Sequence, residues 1–561
     1  MVNEMEISLP DTIRPDFDIN VATWKNDSRV SRVWAKDPTV WTGADEDKWL
    51  GWLTIVDEEL DLSSTYAKLT ADIDEAGFSD VLLMGMGGSS LCPEVLAITF
   101  EKQQFHILDS TDPCQISALE QKLDLSKTLF IVASKSGSTL EPNCFKQYFF
   151  EKVAALVGLE NAGRQFIAIT DPGSKMEQVA KDDGFRHIFY GKPEIGGRFS
   201  ALSAFGMTAA AAMGVDVGQF LRNTSPMVDA CKQNDPASNP GALLGLALGT
   251  CHAHKRDKVT IFTAPEIYDV GAWLEQLIAE STGKSGVAII PVDREPLEPT
   301  TKYGNDRIFA FLALKGDGAF DAKAGELTAA GHPVIQIALE SKATLGQEFF
   351  RWEFATGVAG AVMGINPFNQ PDVEAAKIEA RKLTDEYETT GHLPAEKPFF
   401  EGDGFELYSS SDHAQRLLGK VTMPSIAALL SAHLDMISEG DYFALLAYIE
   451  MNADHESLLQ KIREKVLSQH LVATCLGFGP RFLHSTGQAY KGGGNNGVFL
   501  QVTTDDAIDL QVPGQKYTFG VVKAAQARGD FQVLLDRGRR ALRIHVTGSV
   551  DAGLQTLSNL F

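Results

Sequence analysis

The sequence predicts two α/β domains in tandem, each built on a parallel β-sheet, followed by a smaller C-terminal α/β unit. Short apolar runs alternate with helical segments in two series, one from residue 76 and one after a helical region at about 205–250. Such alternation is typical of parallel strands joined by crossover helices. The length of 561 residues also fits about three units of roughly 100–200 residues each.

Residues 1–75 form a mostly helical segment without obvious chemistry. A first domain at 76–215 takes its strands from the runs DVLLMG, FHILDS, TLFIVAS and RQFIAITD. A second domain at 216–377 takes its strands from KVTIFTAP, VAIIPVD, RIFAFLAL and PVIQIAL. The third unit, at 378–561, is predicted to contain helices near 422–470, strands at VATCLGF, VFLQVT and ALRIHVTG, and a helix at TFGVVKAAQARGDFQVLLDRG.

Charge and cysteine content exclude several classes of function. The formal net charge of −24 disfavours binding to nucleic acid or to an anionic membrane, because both need clustered Lys and Arg. The six cysteines show no CxxC spacing, so we expect neither a structural zinc site nor a disulfide framework. The N-terminus lacks the pattern of a signal peptide, and no apolar run is long enough to span a bilayer. We therefore expect a cytoplasmic protein.

Two hydroxyl-rich loops follow predicted strands of the first domain. The first, GMGGSSL, brings Ser89 after three glycines, which let backbone N–H groups approach an anion closely. The second, SKSGSTLE, carries hydroxyls, one cation and one carboxylate: Ser134, Lys135, Ser136, Ser138, Thr139 and Glu141. Taken singly, the first could be a structural turn and the second a helix cap. Together, at the carboxyl edge of one sheet, they predict a phosphate site.

Three further motifs follow in order: GGRFSALSAFG at 196–206, EQLIAESTGK at 275–284 and GINPFNQPDVEAAK at 364–377. With the two loops, they resemble the sequence signatures of glucose-6-phosphate isomerases. The chain is most similar to the isomerase part of transaldolase/glucose-6-phosphate isomerase fusion proteins, including its GPRFLHSTGQAYKGG segment. No transaldolase-like segment is recognised before it.

The resemblance implies two sugar-isomerase (SIS) domains of flavodoxin-like topology and an active site at the subunit interface of a homodimer. It implies reversible isomerisation of glucose 6-phosphate and fructose 6-phosphate in glycolysis and gluconeogenesis, without a cofactor or metal. The substrate is then a small sugar phosphate, which reacts through an enediol or enediolate.

The resemblance also assigns site residues. It places the proton-transfer base at Glu280, the cation that meets the enediolate at Arg198, and a ring-opening group at Lys377. A carboxylate can move a proton between neighbouring carbons, and an arginine stays charged at any working pH. The alternative interpretation is purely structural: Glu280 would be a surface glutamate at a helix start, and Arg198 would be a loop residue that makes an ion pair. The phosphate cradle matches Ser89, Ser134, Lys135, Ser136 and Thr139, and further substrate-lining positions match Glu141, Gln276 and Gln370.

The chain departs from the family pattern at the histidine that helps to open the sugar ring. The expected GQH-type segment is replaced by KYGNDRIFAFLAL, with Asp306 and Arg307 and no histidine. His484, in RFLHSTGQ, can supply the missing group from the C-terminal unit. Alternatively, His484 and Lys491 only order a loop. The sequence leaves both possibilities open.

Two other functions remain compatible with the sequence. A dual phosphoglucose/phosphomannose isomerase would need room around the C2 hydroxyl, which the small Gly137 and Ser138 could provide. Formation of fructose 6-phosphate from mannose 6-phosphate distinguishes this possibility. A non-catalytic sugar-phosphate-binding SIS protein is the other, but such a protein should lack Glu280 and Arg198.

Overall fold

The structure is a computed structural model that describes residues 1–561, apart from the side chain at position 373. It contains three β-sheets flanked by helices, which confirms the predicted α/β class. The strands are β1 (Glu4–Ser8), β2 (Asp80–Met84), β3 (Phe105–Leu108), β4 (Thr128–Ala133), β5 (Phe166–Thr170), β6 (His187–Tyr190), β7 (Lys258–Thr263), β8 (Ile290–Asp293), β9 (Arg307–Leu314), β10 (Val334–Leu339), β11 (Phe400–Gly402), β12 (Phe405–Tyr408), β13 (Tyr442–Tyr448), β14 (Ala473–Phe478), β15 (Gly497–Thr504) and β16 (Arg540–Val546).

The helices pack on the faces of these sheets and form the N-terminal segment. They are α1 (Arg14–Asn26), α2 (Arg29–Trp34), α3 (Ile55–Asp61), α4 (Ser63–Ala76), α5 (Leu91–Thr99), α6 (Pro113–Lys122), α7 (Leu140–Val157), α8 (Leu159–Ala162), α9 (Lys175–Asp182), α10 (Ala204–Ala212), α11 (Val217–Cys231), α12 (Pro240–Ala253), α13 (Val270–Thr282), α14 (Asp321–Ala329), α15 (Leu345–Met363), α16 (Val373–Thr390), α17 (Ser411–Lys420), α18 (Ile426–Leu434), α19 (Ala453–His470), α20 (Gly487–Gly492), α21 (Phe519–Asp536) and α22 (Val550–Leu560).

The first sheet is fully parallel, with strand order β3-β2-β4-β5-β6. Counted along the chain, this is the order 2-1-3-4-5 of a flavodoxin-like, doubly wound sheet. The four predicted strands are confirmed as β2 to β5. Strand β6 is not among the predicted strands, because it is a four-residue edge strand whose side chains are partly buried or exposed and it lacks the apolar run that marks the others.

The second sheet contains the predicted strands β7 to β10, in the parallel order β8-β7-β9-β10. Its outer edge is covered by β1, which pairs antiparallel with β10. The segment 1–75 is therefore not purely helical, and its first strand belongs to the second domain. Met5 and Ile7 alternate with glutamates in β1 and pack against the core, as expected for an edge strand with one buried face.

The third sheet has six strands in the order β11-β12-β16-β15-β13-β14, one strand more than either of the other sheets. The expectation of a smaller third unit is therefore wrong for its sheet. Its parallel part, β14-β13-β15-β16, repeats the order 2-1-3-4, and the β11–β12 hairpin extends it. The region 422–470, predicted to be helical, contains the strand β13. Its sequence YFALLAY is fully buried, and such a continuous apolar run fits helix and strand equally.

One hydrophobic core runs through the N-terminal helices and the first two domains. At its centre, α12 and α15 are in close contact. An added Cβ at Gly245 in α12 would lie 2.3 Å from the carbonyl oxygen of Ala355 in α15. The close approach of the two helix backbones therefore requires a residue without a side chain at this position.

The sequence-based expectations about thiols and membranes can be compared with the structure. All six cysteines are free, and only Cys114 among them is partly exposed. Across the described residues, no helix is both long and apolar enough to cross a bilayer.

Buried carboxylates meet at the junction of the three units, around a small cleft beside α13. Burial raises the pKa of Asp109 and of Asp269 to about 7, and that of Asp293 to about 6. Burial likewise raises the pKa of Glu275 to about 8. Arginines from the second domain and the C-terminal unit face these groups: Arg294, Arg463 and Arg481.

We expect Gly245→Ala to lower the free energy of unfolding by about 1–3 kcal/mol, since the added methyl group forces α12 away from α15. Gly325→Ala is the matched control, because Gly325 lies in the exposed helix α14 with no atom near the position of an added Cβ. That control should be neutral or stabilising by up to ~1 kcal/mol. Chemical denaturation followed by circular dichroism measures both, and equal effects of the two changes would contradict the close contact.

We expect the buried carboxylates around Glu275 to contribute less to the stability of the fold as the pH rises from about 5 to about 8.5. In this window the folded state keeps protons on Glu275 and its neighbours that the unfolded state has released, so unfolding becomes more favourable with rising pH. Replacing Glu275 with glutamine should flatten this dependence, whereas Glu266→Gln on the surface should not. Melting temperature measured across the pH range tests this, and identical slopes for wild type and Glu275→Gln would count against it.

Candidate active site

A cavity of about 510 Å³ lies beyond the carboxyl ends of β2 and β4. At this point of the order β3-β2-β4 the connections leave the sheet in opposite directions, which is where α/β sheets bind ligands. All predicted site residues except one line this cavity: Ser89, Ser134, Lys135, Ser136, Thr139, Glu141, Gln276, Glu280, Gln370, Lys377 and His484. The exception is Arg198, which lies behind Glu280.

Helix α13 presents Gln276 and Glu280 to the cavity from one face, since residues four apart in a helix lie one turn above each other. Glu280 is 7% exposed, and its Oε1 lies 3.2 Å from Nη1 of Arg198. Within the described part of the chain, Oε2 of Glu280 and Oε1 of Gln276 have no hydrogen-bond partner. The cavity is thus lined by buried polar atoms that still require a hydrogen-bond partner.

Arg198 is fully buried, and each of its nitrogen atoms faces a protein acceptor. Nε donates to Oγ of Ser281 at 2.8 Å, and Nη1 donates to Oε1 of Gln370 at 2.6 Å and faces Glu280. Nη2 donates to the carbonyl oxygens of Pro367 and Asn369, at 2.8 and 2.9 Å. Burial lowers the pKa of this guanidinium, while the Glu280 carboxylate opposes the shift. The resemblance implies that Arg198 contacts the substrate directly, but in this arrangement its guanidinium has no free donor for such a contact.

The serine loop, residues 134–139, occupies the space between β4 and α7. The hydroxyl of Ser134 is buried without a partner in the described chain, and those of Ser136 and Ser138 lie 2.7 Å apart. Because α7 begins at Leu140, the first backbone N–H groups of this helix follow the loop directly. The loop therefore offers hydroxyl and amide donors to an anion.

Lys135 lines the cavity, but its ammonium group has other partners. Nζ is paired with Asp171, which follows β5, and donates to the carbonyl oxygens of Lys192 and Pro193 at 3.1 and 3.3 Å. Burial raises the pKa of Asp171, and the Lys135 charge opposes this. Lys135 therefore joins the serine loop to the adjacent loops.

Gly137 also bears on the size of the cavity. It has a φ of +66°, and an added Cβ would lie 2.2 Å from the backbone N of Met176. The missing side chain therefore faces Met176, and Gly137 does not line the cavity. The extra room considered for a second sugar epimer does not arise at this residue.

The C-terminal unit brings His484 into the cavity. Nε2 of His484 lies 2.9 Å from Oε1 of Glu141, and its carbonyl oxygen accepts a hydrogen bond of 2.6 Å from Gln276. Glu141 also accepts a 2.6 Å hydrogen bond from Gln526 in α21. Burial raises the pKa of Glu141, but the charge and the hydrogen bond of His484 more than offset this and hold the pKa below its usual value.

Several residues that line the cavity were not predicted from the sequence, among them Gln526 and Arg381. Arg381 lies in α16, four residues after Lys377, so the helical spacing alone could have indicated it. Gln526 lies 385 positions from its partner Glu141, and no local pattern marks it.

The residues that replace the expected GQH segment lie elsewhere. Arg307 in β9 is buried and pairs with Glu295 at 2.9 Å, and Asp306 pairs with Lys258 at 3.1 Å. Neither belongs to the lining of the cavity. The described residues contain no group of three His, Cys, Asp or Glu side chains placed to hold a metal ion.

Comparison with known proteins gives consistent results. The sequence model of the family described as "Phosphoglucose isomerase" matches residues 73–293. A glucose-6-phosphate isomerase from Prochlorococcus marinus (strain NATL2A) is 29% identical over 352 residues, which is 55% of this chain and 67% of that protein. A probable glucose-6-phosphate isomerase from Methanococcus maripaludis is 26% identical over 397 residues, 63% of this chain and 87% of that protein.

Among solved structures, a hypothetical protein from Thermus thermophilus superposes with a TM-score of 0.57 at 24% identity. The match covers 67% of this chain and 99% of that one, and it supports the fold. The chain spans about two thirds of the length of the cyanobacterial isomerases it matches. The matched segment, residues 73–293, contains both hydroxyl-rich loops, Arg198 and Glu280, and is the part of this chain that is similar to the phosphoglucose isomerase family.

Proposed function

We propose that this protein interconverts glucose 6-phosphate and fructose 6-phosphate, with Glu280 as the group that moves the proton. One observation carries the proposal. Glu280 presents a carboxylate oxygen without a protein partner to a cavity that also contains the serine loop and the His484–Glu141 pair. A sugar phosphate needs these three functions together: a phosphate site, a base near C2 and a group that opens the ring.

The phosphate would bind at the serine loop. Ser89, Ser134, Ser136 and Thr139 supply hydroxyl groups, and the loop leads into α7, whose positive end favours an anion. Lys135 holds the loop in place through Asp171 and the neighbouring carbonyl groups. The other cations in the lining are Lys377 and Arg381, both on α16.

The isomerisation itself needs one carboxylate. Oε2 of Glu280 takes the proton from C2 of the open-chain aldose, and the electron pair left at C2 forms the enediolate with the C1 carbonyl. Glu280 then returns a proton to C1, while the hydroxyl proton of O2 passes to O1, which leaves the ketose. The same residue acts as base and as acid, so the reaction is reversible without a cofactor.

Arg198 would act through its neighbours. Its ion pair keeps Oε1 of Glu280 in place and leaves Oε2 to the substrate. Because Nη1 donates to Oε1 of Gln370, the NH₂ group of that amide points away from Arg198 and can donate to an enediolate oxygen. We therefore assign Arg198 as a positioning residue for Glu280 and Gln370.

Ring opening would fall to His484, with Lys377 as its partner across the sugar. Glu141 keeps the imidazole of His484 oriented through Nε2, which leaves the other ring nitrogen to exchange a proton with the ring oxygen. Lys377 lines the same cavity and can serve the O1 hydroxyl. This assignment takes up the first of the two alternatives that the sequence left for His484.

We also propose that the chain is close to the isomerase part of transaldolase fusion proteins, on the strength of its GPRFLHSTGQAYKGG segment. Cytoplasmic location and a homodimer are proposed with it. Gly137 faces Met176, so any extra room for mannose 6-phosphate would have to come from Ser138, which lines the cavity.

We expect Glu280→Gln to reduce isomerisation by about 10²–10⁴-fold, because an amide cannot accept the C2 proton. Interconversion of the α and β anomers of glucose 6-phosphate should survive in this variant, since ring opening does not use Glu280. A coupled assay measures fructose 6-phosphate, and NMR exchange spectroscopy measures the anomers.

The variant His484→Asn should show a different pattern, with both reactions slowed, because the ring must open before the proton can move. Glu266→Gln, an exposed glutamate outside the site, is the control for both variants. Unchanged turnover of Glu280→Gln would refute its assignment as the base, and unchanged anomer exchange in His484→Asn would refute its assignment as the ring-opening group.

A further inference from the structure

The walls of the active-site cavity come from three parts of one chain. The first domain supplies the serine loop and Glu141, and the second supplies Gln276 and Glu280 from α13. The remaining wall comes from α16, from the turn that holds His484, and from α21. The site expected from the resemblance lies between two subunits, whereas this chain surrounds the cavity by itself.

The C-terminal unit is attached through apolar contacts with both other domains. Val512, Tyr517, Phe519 and Val522 join the core of the first domain. On the other side, Ala279, Ala288, Ile290 and Val292 of the second domain belong to the same core as β13, β14 and α20. Because both contacts are buried like a domain interior, the position of the unit over the cavity is fixed by packing.

Ion pairs hold the same interface beside the cavity. Lys523 in α21 lies 2.8 Å from Asp112 of the first domain, and both side chains are buried. Arg481, three residues before His484, pairs with Glu94 in α5 and faces Asp109 at 3.4 Å. The turn that holds His484 is therefore anchored to the first domain at its first residue as well as at its last.

Gln526 connects the two sides of the interface at the catalytic pair. Its Oε1 accepts a 2.7 Å hydrogen bond from Thr111 of the first domain, and its Nε2 donates to Glu141. Glu141 in turn holds His484, whose carbonyl oxygen is bound by Gln276 of the second domain. Gln526 of the C-terminal unit thus holds Glu141 in place, and Glu141 in turn orients His484 of the same unit.

We infer that the C-terminal unit completes the active site within the same chain, so that every copy carries a full site whatever the number of subunits. In this arrangement Gln526 is a positioning residue for the Glu141–His484 pair. The inference rests on the proposed function, because its activity test requires isomerisation to be measured. Its content is different, since it concerns only which chain supplies His484 to a site.

Mixing two inactive variants tests the inference. Glu280→Gln and His484→Asn carry their defects on opposite walls of the cavity, and we would coexpress them with different tags and isolate mixed oligomers by tandem purification. A site built in one chain predicts no recovery of isomerisation. A site shared between copies predicts about half of wild-type activity in the purified mixed dimers, since one of the two sites in each is intact.

Recovery to that level would overturn the inference while leaving the proposed function intact. Full activity of His484→Asn alone would also overturn it, because the C-terminal unit would then not complete the site. Specific activity of the wild-type chain should stay constant on dilution to the monomer, and its loss there would again point to a shared site.

A second readout does not depend on turnover by the wild-type chain. Gln526→Met keeps the volume of the side chain and removes both hydrogen bonds, so the imidazole NMR signals of His484 should move in this variant, by an amount that is independent of protein concentration. Gln532→Met, at an exposed position of the same helix, is the control. In active protein, the acidic limb of the pH profile should move to higher pH, because Glu141 loses a donor to its charged form.

If the imidazole signals of His484 are unchanged by Gln526→Met, or if their change depends on protein concentration, the pair is not held as inferred. Inactivity of the wild-type chain would count against the proposed function only, since this second measurement still decides whether His484 is held within its own chain.

Discussion

The buried guanidinium of Arg198 is the interaction on which the site depends. It joins three segments that are distant in sequence: its own turn after β6, helix α13 through Ser281 and Glu280, and the loop before α16 through two carbonyl oxygens and Gln370. A buried charge is tolerated only when its donors are satisfied and an opposite charge is near. Here both conditions are met by residues that the proposed reaction requires, so the geometry that stabilises the arginine also orients the base.

In the C-terminal unit, too, contacts that stabilise the fold also shape the site. All three sheets share the strand order 2-1-3-4 in their parallel parts, and the C-terminal unit packs on the other two domains through continuous apolar cores. The unit contributes to the cavity through the part of α16 that carries Arg381, through α21 and through the turn at His484, and its own sheet stays outside the lining. Its role in the site follows from where it is packed, and the packing is set by ordinary burial of apolar surface.

Much of the fold could be predicted from the sequence because its parallel strands are short apolar runs bounded by Gly, Ser, Asp and Pro, as in TLFIVAS. Strand β13 could not, since YFALLAY is apolar at every position and has no periodicity to separate strand from helix. Ser89, Glu141 and Glu280 could be placed by motif. The engagement of Lys135 with Asp171, the satisfied donors of Arg198 and the presence of Gln526 arise only from contacts between distant segments.

The neutral character of the phosphate loop has a consequence for how a substrate arrives. The chain has a formal net charge of −24, so its long-range field opposes the approach of a dianionic sugar phosphate. With Lys135 paired to Asp171, attraction at the loop itself comes from hydroxyl and amide dipoles, whose influence ends within a few ångströms, and Lys377 and Arg381 across the cavity are the remaining cations. Binding of the sugar phosphate then depends on contact geometry more than on long-range electrostatic steering. Added salt screens the repulsion between the chain and the substrate, so it would raise the association rate rather than lower it.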